Sequence, residues 1–539
     1  MRFDRNECIV MNMKRYLCVP IGLVLLVACP AYGQDIYRME AFSGYDLNGT
    51  SRYVGMGGAM NALGADLSTM GGNPAAIGLF RKSDLSMSAS VTSQSGARDF
   101  MDIDKVRGSF DQLGFVYSAK VGEKVKFVNF GFNYQKRKNF KNYIGVDNFQ
   151  TGGLSQSLQM LDLANINGEW LDLRKDADRD YTTPLTCLGY DTQMLFLKEE
   201  NGVITGYEPS LAESYNYQRV QWGGIQQYDI NLSMNWEDIL YAGATFGIYN
   251  VDMHTGTYYG EALIGDQGGT YDYHMMNEEV VSGNGFDVKL GLIFRPIETS
   301  PFRIGFSVHT PTFYSLRSDS YLYMQSPYVS GTSDFTAADV NIVGNEYMIR
   351  TPWRINLSVA TVVANVLALD AEYEFANYSK SEVGYDGYYS DDMSFEGWMS
   401  GEKDRYLNRE AERFLKPVST FKFGAEARLS SNMYARFGYN YVSAPMKADA
   451  YLNLFTNSPS YYYNTNTDYV NLGEINRFTC GLGYRLKHLY IDFAYQHQRQ
   501  GGDVYAFHVP DGSSESNRLK AAKVDFKRNN CMLTLGYKF

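Results

Sequence analysis

The chain has 539 residues, 60 acidic against 49 basic, with 44 Tyr, 51 Gly and only 14 Pro. The acidic excess argues against nucleic acid as a partner. Beyond the N-terminus no apolar run approaches the ~20 residues a membrane helix needs, while a Tyr- and Gly-rich chain that is polar on average has the composition of a transmembrane β-barrel. A large soluble array of β-sandwiches is the other architecture this composition allows.

The N-terminus gives the expected compartment. Lys14 and Arg15 precede the apolar run LCVPIGLVLLVA, and Ala31 and Gly33 are small residues placed before a cut ahead of Gln34. This is the pattern of a secretory signal peptide over 1–33, too short for an anchor. The stretch Leu26-Val27-Ala28-Cys29 also fits a lipoprotein processing box, which would leave a lipidated Cys29. Cleavage removes four basic and two acidic residues and leaves Cys187, Cys480 and Cys531. An odd, sparse set is no disulfide framework or metal cluster.

Residues 34–83 come next and do not alternate. They read YVGMGGAMNALGADLSTMGGNPAAIGLF in their central part, small and mildly apolar. Lying beyond the signal cut and lacking a strand pattern, they are expected to fold back as a plug inside a barrel. Gly55, Gly57, Gly58, Gly71 and Gly72 would let backbone approach the wall closely. GMGGA follows no predicted strand, so it does not read as a dinucleotide loop.

From residue 84 onward the period is two. In YDINLSMNW, Tyr228, Ile230, Leu232, Met234 and Trp236 alternate with Asp229, Asn231, Ser233 and Asn235. Fourteen such segments are predicted, near 84–92, 112–121, 125–137, 225–236, 239–252, 285–295, 301–315, 348–361, 365–378, 419–430, 432–443, 475–487, 488–499 and 523–539. The connections sort by parity into six short turns and seven long loops, the longest about 138–224. That asymmetry belongs to an outer-membrane barrel, so the predicted fold is all-β, a 14-stranded antiparallel transmembrane β-barrel spanning 84–539 around an N-terminal plug. The chain ends CMLTLGYKF, with Leu533, Leu535, Tyr537 and Phe539 on one stripe, which is expected to face lipid.

These pieces resemble a known family. GADLSTMGGNPAAIGLF is similar to the hatch segment of the FadL/TodX family of outer-membrane transporters of long-chain fatty acids and other hydrophobic compounds. Asn73-Pro74-Ala75 matches that family's NPA motif. The resemblance continues through GFDVKLGLIFRP with RIGFSVHTP, FKFGAEARLSSNMYARFGYNYVSAP and FTCGLGYRLKHLYIDFAYQH, reaching the terminal LTLGYKF. It implies a fourteen-stranded barrel with a hatch, a hydrophobic small-molecule ligand, outer-membrane lipid as surroundings, and recognition of Phe539 by barrel-assembly machinery. The longest loop here follows strand three, a departure from better-known members, so no ligand contacts are carried over by position.

Parity names the inward charges. Glu426 falls opposite Arg436, and Arg354 falls within reach of Glu372 or Glu374. Such pairs serve wall-to-wall or wall-to-plug structure, or else a lumen arginine such as Arg436 or Arg485 holds a carboxylate headgroup. In the longest loop, Leu154, Leu158, Leu161 and Trp170 read as an apolar helical stripe able to capture ligand or to pack on neighbouring loops. RYLNREAERFLKP near 405–417 reads as a short solvated helix. The six His (254, 274, 309, 488, 497 and 508) lack metal-ligand spacing, and neither a G-x-S-x-G elbow nor a P-loop occurs. No enzyme activity, metal or cofactor is therefore expected. The expected function is passive outer-membrane uptake of hydrophobic molecules, chiefly long-chain fatty acids. The alternatives are a non-transporting shuttle or docking subunit of a protein-secretion system, and haem or aromatic-compound uptake.

Overall fold

The computed structural model describes residues 35–98, 106–166, 168–265, 270–327, 335–385, 402–452, 458, 465–508 and 519–539. The expected signal peptide and Cys29 lie outside the described residues. Among the described residues, fourteen strands make up one antiparallel wall. In chain order they are β1 (Asp84–Gln94), β2 (Val106–Lys120), β3 (Val125–Asn139), β4 (Ala212–Trp236), β5 (Leu240–Ile264) and β6 (Thr270–Phe294). Then come β7 (Arg303–His309, resuming at Phe313–Pro327), β8 (Phe335–Arg350, resuming at Arg354–Val363) and β9 (Leu367–Asn377). The ring is completed by β10 (Pro417–Arg428), β11 (Met433–Val442), β12 (Tyr469–Arg485), β13 (Leu489–Tyr505) and β14 (Ala522–Lys538).

Each strand pairs with the next, and β14 returns to β1 from Asp84↔Lys538 to Gln94↔Arg528. The ring is closed, so no edge is left to template aggregation. Residue placement inverts that of a soluble protein. On β4, Leu232 is 60% exposed while its neighbour Asn231 is fully buried. Val288, Leu290, Leu292 and Phe294 on β6, and Leu533, Leu535 and Tyr537 on β14, continue the exposed apolar belt. Buried polar residues face inward at the alternate positions, among them Asn129, Asn133, Asp229, Asn235 and Thr534. A belt of this composition is stable only against an apolar solvent. It spans nine residues on β4, from Tyr228 to Trp236, which matches the hydrocarbon thickness crossed by a tilted strand.

The strands β4, β5 and β6 are 25 residues each, longer than the alternation predicts. Residues 212–227 of β4 run roughly 50 Å beyond the belt at about 3.3 Å per residue. The expected 138–224 loop is correspondingly shorter. After β3 the chain re-enters the sheet at Asn142–Gln150 and pairs with the outer part of β4, leaving 151–211 as the loop proper. Alternation fades there because neither face of the sheet meets lipid, so the apolar/polar contrast that marks a membrane strand is lost.

Two neighbouring strands break at the same level. Pro311 interrupts β7 and Pro352 interrupts β8, since proline offers no N–H to a ladder. Threonines bridge the gap: Thr351 Oγ1 accepts from the Thr312 amide at 2.8 Å, and Thr310 Oγ1 accepts from the Val288 amide at 3.0 Å.

Candidate functional site: the lumen

Residues 35–83 run along the inner face of the wall. They form a helix at Ile36–Ser43, a short helix at Ser51–Gly55 and 3-10 turns at Leu67–Gly71 and Pro74–Leu79. Asn73-Pro74-Ala75 is a helix start in miniature. Asn73 Oδ1 accepts from the Ala75 amide at 3.1 Å, and Pro74 occupies the first position of the turn, where its missing N–H is not needed. The Asn73 side-chain amide also donates to Asn61 O and to Leu292 O of β6. The wall makes room for this turn. A Cβ at Gly291 of β6 would stand 2.0 Å from Asn73 Oδ1, and one at Gly438 of β11 would stand 2.1 Å from the Gly57 amide.

Carboxylates of the wall cap the backbone of this segment. Glu372 Oε1 on β9 accepts from the Met60 and Asn61 amides at 2.7 and 2.6 Å, and Asp370 Oδ2 accepts from those of Ala62 and Leu63 at 3.2 and 2.8 Å. Arg52 grips Glu426 with two bonds of 2.9 Å. Glu426 sits directly opposite Arg436 in the β10–β11 register, and their side chains pair at 2.7 Å. The chain of charges runs on from Arg436 to Asp492 at 2.7 Å and from Asp492 to Arg485 at 2.8 Å. Arg436 and Arg485 thus each hold wall carboxylates. Arg354 pairs with Glu374, while Glu372 is taken up by residues 60–61 and by Lys422 at 3.3 Å. Lys289 is fully buried between Asp229 at 3.0 Å and Asp287 at 2.8 Å.

Above this network the lumen opens into a cavity of about 210 Å³. Its lining combines apolar side chains, Met253, Leu472, Ile475 and Phe526, with Arg354 and Lys422, both paired with Glu374, and with cations that parity does not single out: Arg137, Lys138, Arg477 and Arg528. Asp46 and Glu40 line it too. Arg137 donates to Gln227 Oε1 at 3.1 Å and lies over the rings of Tyr45 and Tyr249 at 4.9 and 5.5 Å. No carboxylate among the described residues stands within 4 Å of it. Arg477 and Arg528 share Asp46, each at 3.8 Å. The arrangement can hold an anion beside an apolar body.

The cavity abuts a weak seam. The β2–β3 ladder stops at Gln112↔Gln135, although both chains continue upward, β2 paired with β1 and the β3 continuation paired with β4. Side chains span the seam instead. Lys136 Nζ donates to Ser109 Oγ at 2.7 Å, and Asn48 donates to both Asp111 Oδ1 and Lys136 O at 3.0 Å.

The outer loops depart from expectation. The helix in 151–211 covers only Ser157–Leu163, and its buried face carries Met160 and Leu163. Leu154 precedes it and Trp170 lies on a separate two-residue strand, so no single helical stripe joins Leu154, Leu158, Leu161 and Trp170. Leu154, Leu161 and Trp170 are partly buried against an apolar cluster that the loop shares with the outer parts of the wall strands, including the cavity-lining Phe526. Gly152, Gly153 and Gly168 around them all take positive φ, which breaks a continuous helix. The 405–414 helix is amphipathic rather than solvated all round, burying Leu407, Ala411 and Phe414. The 151–211 loop is anchored through Glu261, which lies beyond the belt near the outer end of β5. Its carboxylate accepts from Ser155 Oγ at 2.6 Å, the Gln156 amide at 2.7 Å and Tyr259 OH at 2.5 Å. Burial without a cation pushes this carboxyl up to about 6.

No protein-family model matches the chain, and no curated protein matches it. Among solved structures it is similar to a Pseudomonas aeruginosa FadL homologue, at 13% identity and a TM-score of 0.47 over 92% of this chain and 99% of that one. It is also similar to the Ralstonia pickettii toluene transporter TbuX, at 16% identity and a TM-score of 0.45 over 92% and 99%. The CymD monoaromatic hydrocarbon channel matches at 11% identity and a TM-score of 0.47, again over 92% and 99%.

Proposed function

We propose that this protein is a bacterial outer-membrane channel for passive uptake of hydrophobic small molecules, with long-chain fatty acids as its main cargo. Residues 35–83 act as the plug, and the outer loops gather the ligand. The observation that carries the reading is the cavity: apolar side chains and under-compensated guanidiniums share one space, beside a seam where the wall ladder stops. An amphiphile with a carboxylate head and an alkyl tail meets both demands at once, because guanidinium binds carboxylate in two-point fashion.

At about 210 Å³ the cavity is smaller than the ~300 Å³ at which ligand pockets usually begin, so a full alkyl chain requires residues 44–50 to shift. The exit is sideways, through the β2–β3 seam into the membrane. An alkyl chain loses about 0.8 kcal/mol per CH₂ on leaving apolar surroundings, which makes a watery exit toward the periplasm the worse path. The test is uptake of labelled oleate by cells with the gene deleted, restored, or restored as Arg137→Gln. The expected result is loss of uptake on deletion, recovery with wild type, and a several-fold deficit with the variant. Equal uptake in all three strains overturns the fatty-acid reading.

A further inference from the structure

The carboxylate nearest Arg477 and Arg528 belongs to the plug, and its contacts are loose. Asp46 reaches Arg477 and Arg528 only at 3.8 Å, beyond hydrogen-bond distance, whereas ion pairs lower in the lumen close to 2.7–2.9 Å. Its firm bonds are to backbone: Asp46 Oδ2 accepts from the Asn139 amide at 2.9 Å, and the Asp46 amide donates to Arg137 O at 2.9 Å. Two guanidiniums therefore flank one tethered carboxylate that reaches neither of them at hydrogen-bond distance. A free carboxylate, unrestrained by a backbone, can adopt the two-point geometry that Asp46 does not reach.

The residues flanking Asp46 link this site to the rest of the wall. Tyr45 OH donates to both oxygens of Glu374 at 2.7 and 2.6 Å. Asn48, two residues on, holds Asp111 and Lys136 across the β2–β3 seam, and its own carbonyl accepts from Gln135 Nε2 at 2.8 Å. Any movement of Asp46 away from Arg477 and Arg528 is passed along two residues to the side chain that spans the seam.

We propose that Asp46 is a built-in stand-in for the ligand's headgroup: an incoming anionic amphiphile displaces it from Arg477 and Arg528, and the displacement draws Asn48 off the seam. The plug thus competes with the cargo for one cationic site, and only a cargo bearing an anion releases the exit. This rests on the headgroup reading given under the proposed function, and deepens it by making the anion the trigger as well as the handle.

The test uses the mature full-length barrel in lipid nanodiscs, titrated with dodecanoate and with dodecanol, which share a tail and differ in charge. Asp46→Asn keeps the shape and the acceptor for the Asn139 amide. It should tighten dodecanoate about tenfold, the worth of one partly screened carboxylate–guanidinium contact, and leave dodecanol within about twofold. Hydrogen exchange supplies the second readout. Dodecanoate should raise exchange over 44–50 and 106–111 in wild type, and Asp46→Asn should show raised exchange without ligand. Asp46→Ser, which also removes the charge, should behave in the same way and guards against a folding defect peculiar to one variant. If wild type binds dodecanoate no more tightly than dodecanol, the headgroup reading falls and this inference with it. If wild type prefers dodecanoate and both variants leave its affinity unchanged or weaker, or leave exchange at the seam unmoved, the stand-in role alone is overturned.

Discussion

The lower lumen and the upper cavity both contain arginines facing inward, yet their neighbours treat them in opposite ways. Low in the ring, Arg436 contacts Glu426 and Asp492 at 2.7 Å each, and Arg52 doubles the grip on Glu426. High in the ring, Arg137 has no carboxylate within ion-pair distance among the described residues, and Arg477 and Arg528 divide one distant Asp46. A charge desolvated by its own fold must be matched by that fold. One left under-matched beside a cavity remains free to be matched from outside. The lower set ties residues 52 and 60–63 to the wall, and the upper set is the one to which the proposed function gives the ligand.

The strongest way to break this contrast is to remove the lower anchor. Arg436→Leu leaves Glu426 and Asp492 buried without their shared cation and should cost about 3–5 kcal/mol. The readout is a lowered temperature for the heat-induced mobility shift in gel electrophoresis. A variant as heat-resistant as wild type would mean the lower network does not hold the structure together. Next in size is crowding the plug from the wall. Gly291→Leu drives a side chain into Asn73 and Pro74 and should destabilise by about 1–3 kcal/mol. If residues 35–83 close the lumen as proposed, single-channel recording should show more frequent openings than in wild type, and an unchanged record would place the barrier elsewhere.

The smallest effect lies in the loop, at a carboxylate outside both sets of arginines. The Glu261 carboxyl rises from 4.5 to about 6 on folding. Below about pH 4.5 both folded and undocked forms are protonated and docking of 151–211 is at its firmest. As pH rises toward 6 the undocked form ionises first, so docking weakens by up to about 2 kcal/mol and stays level above that. Limited proteolysis of the loop should therefore be slower at pH 4.5 than at pH 7.5 in wild type. In Glu261→Gln the rates should be equal apart from the protease's own pH dependence, measured on an unfolded substrate. A wild type without this slope would refute the assignment.

How much of this was legible from the residues depends on where lipid lies. Where one face of a strand meets the belt, as in Tyr228–Trp236, apolar and polar residues must alternate, and all fourteen wall strands can be counted from that signal. Above the belt, in 212–224, 253–264 and 270–284, both faces meet protein or water, the alternation lapses, and the strands run up to fifteen residues beyond the predicted ends. Parity put Glu426 opposite Arg436 because register in a tight hairpin follows from its turn. Parity also turns Arg528 inward, alongside Met532 and Thr534, but no local pattern tells which inward arginine will find a carboxylate across the ring. That depends on where residues 35–83 lie, and these residues carry no periodic signal. The leucines of the 151–211 loop misled for a related reason: a leucine spacing near helical period does not show where glycines with positive φ will interrupt it.

The ladder between β1 and β14 joins residues more than four hundred positions apart, from Asp84↔Lys538 onward. Every hydrogen bond of that junction must wait until the final dozen residues have been synthesised. A chain lacking these residues leaves the row of β1 backbone groups that faces β14 without its ladder partner. The ring can therefore close only once residues 528–538 are available to pair with 84–94. A chain stalled a few residues early is no slightly weakened protein but an unsealed one.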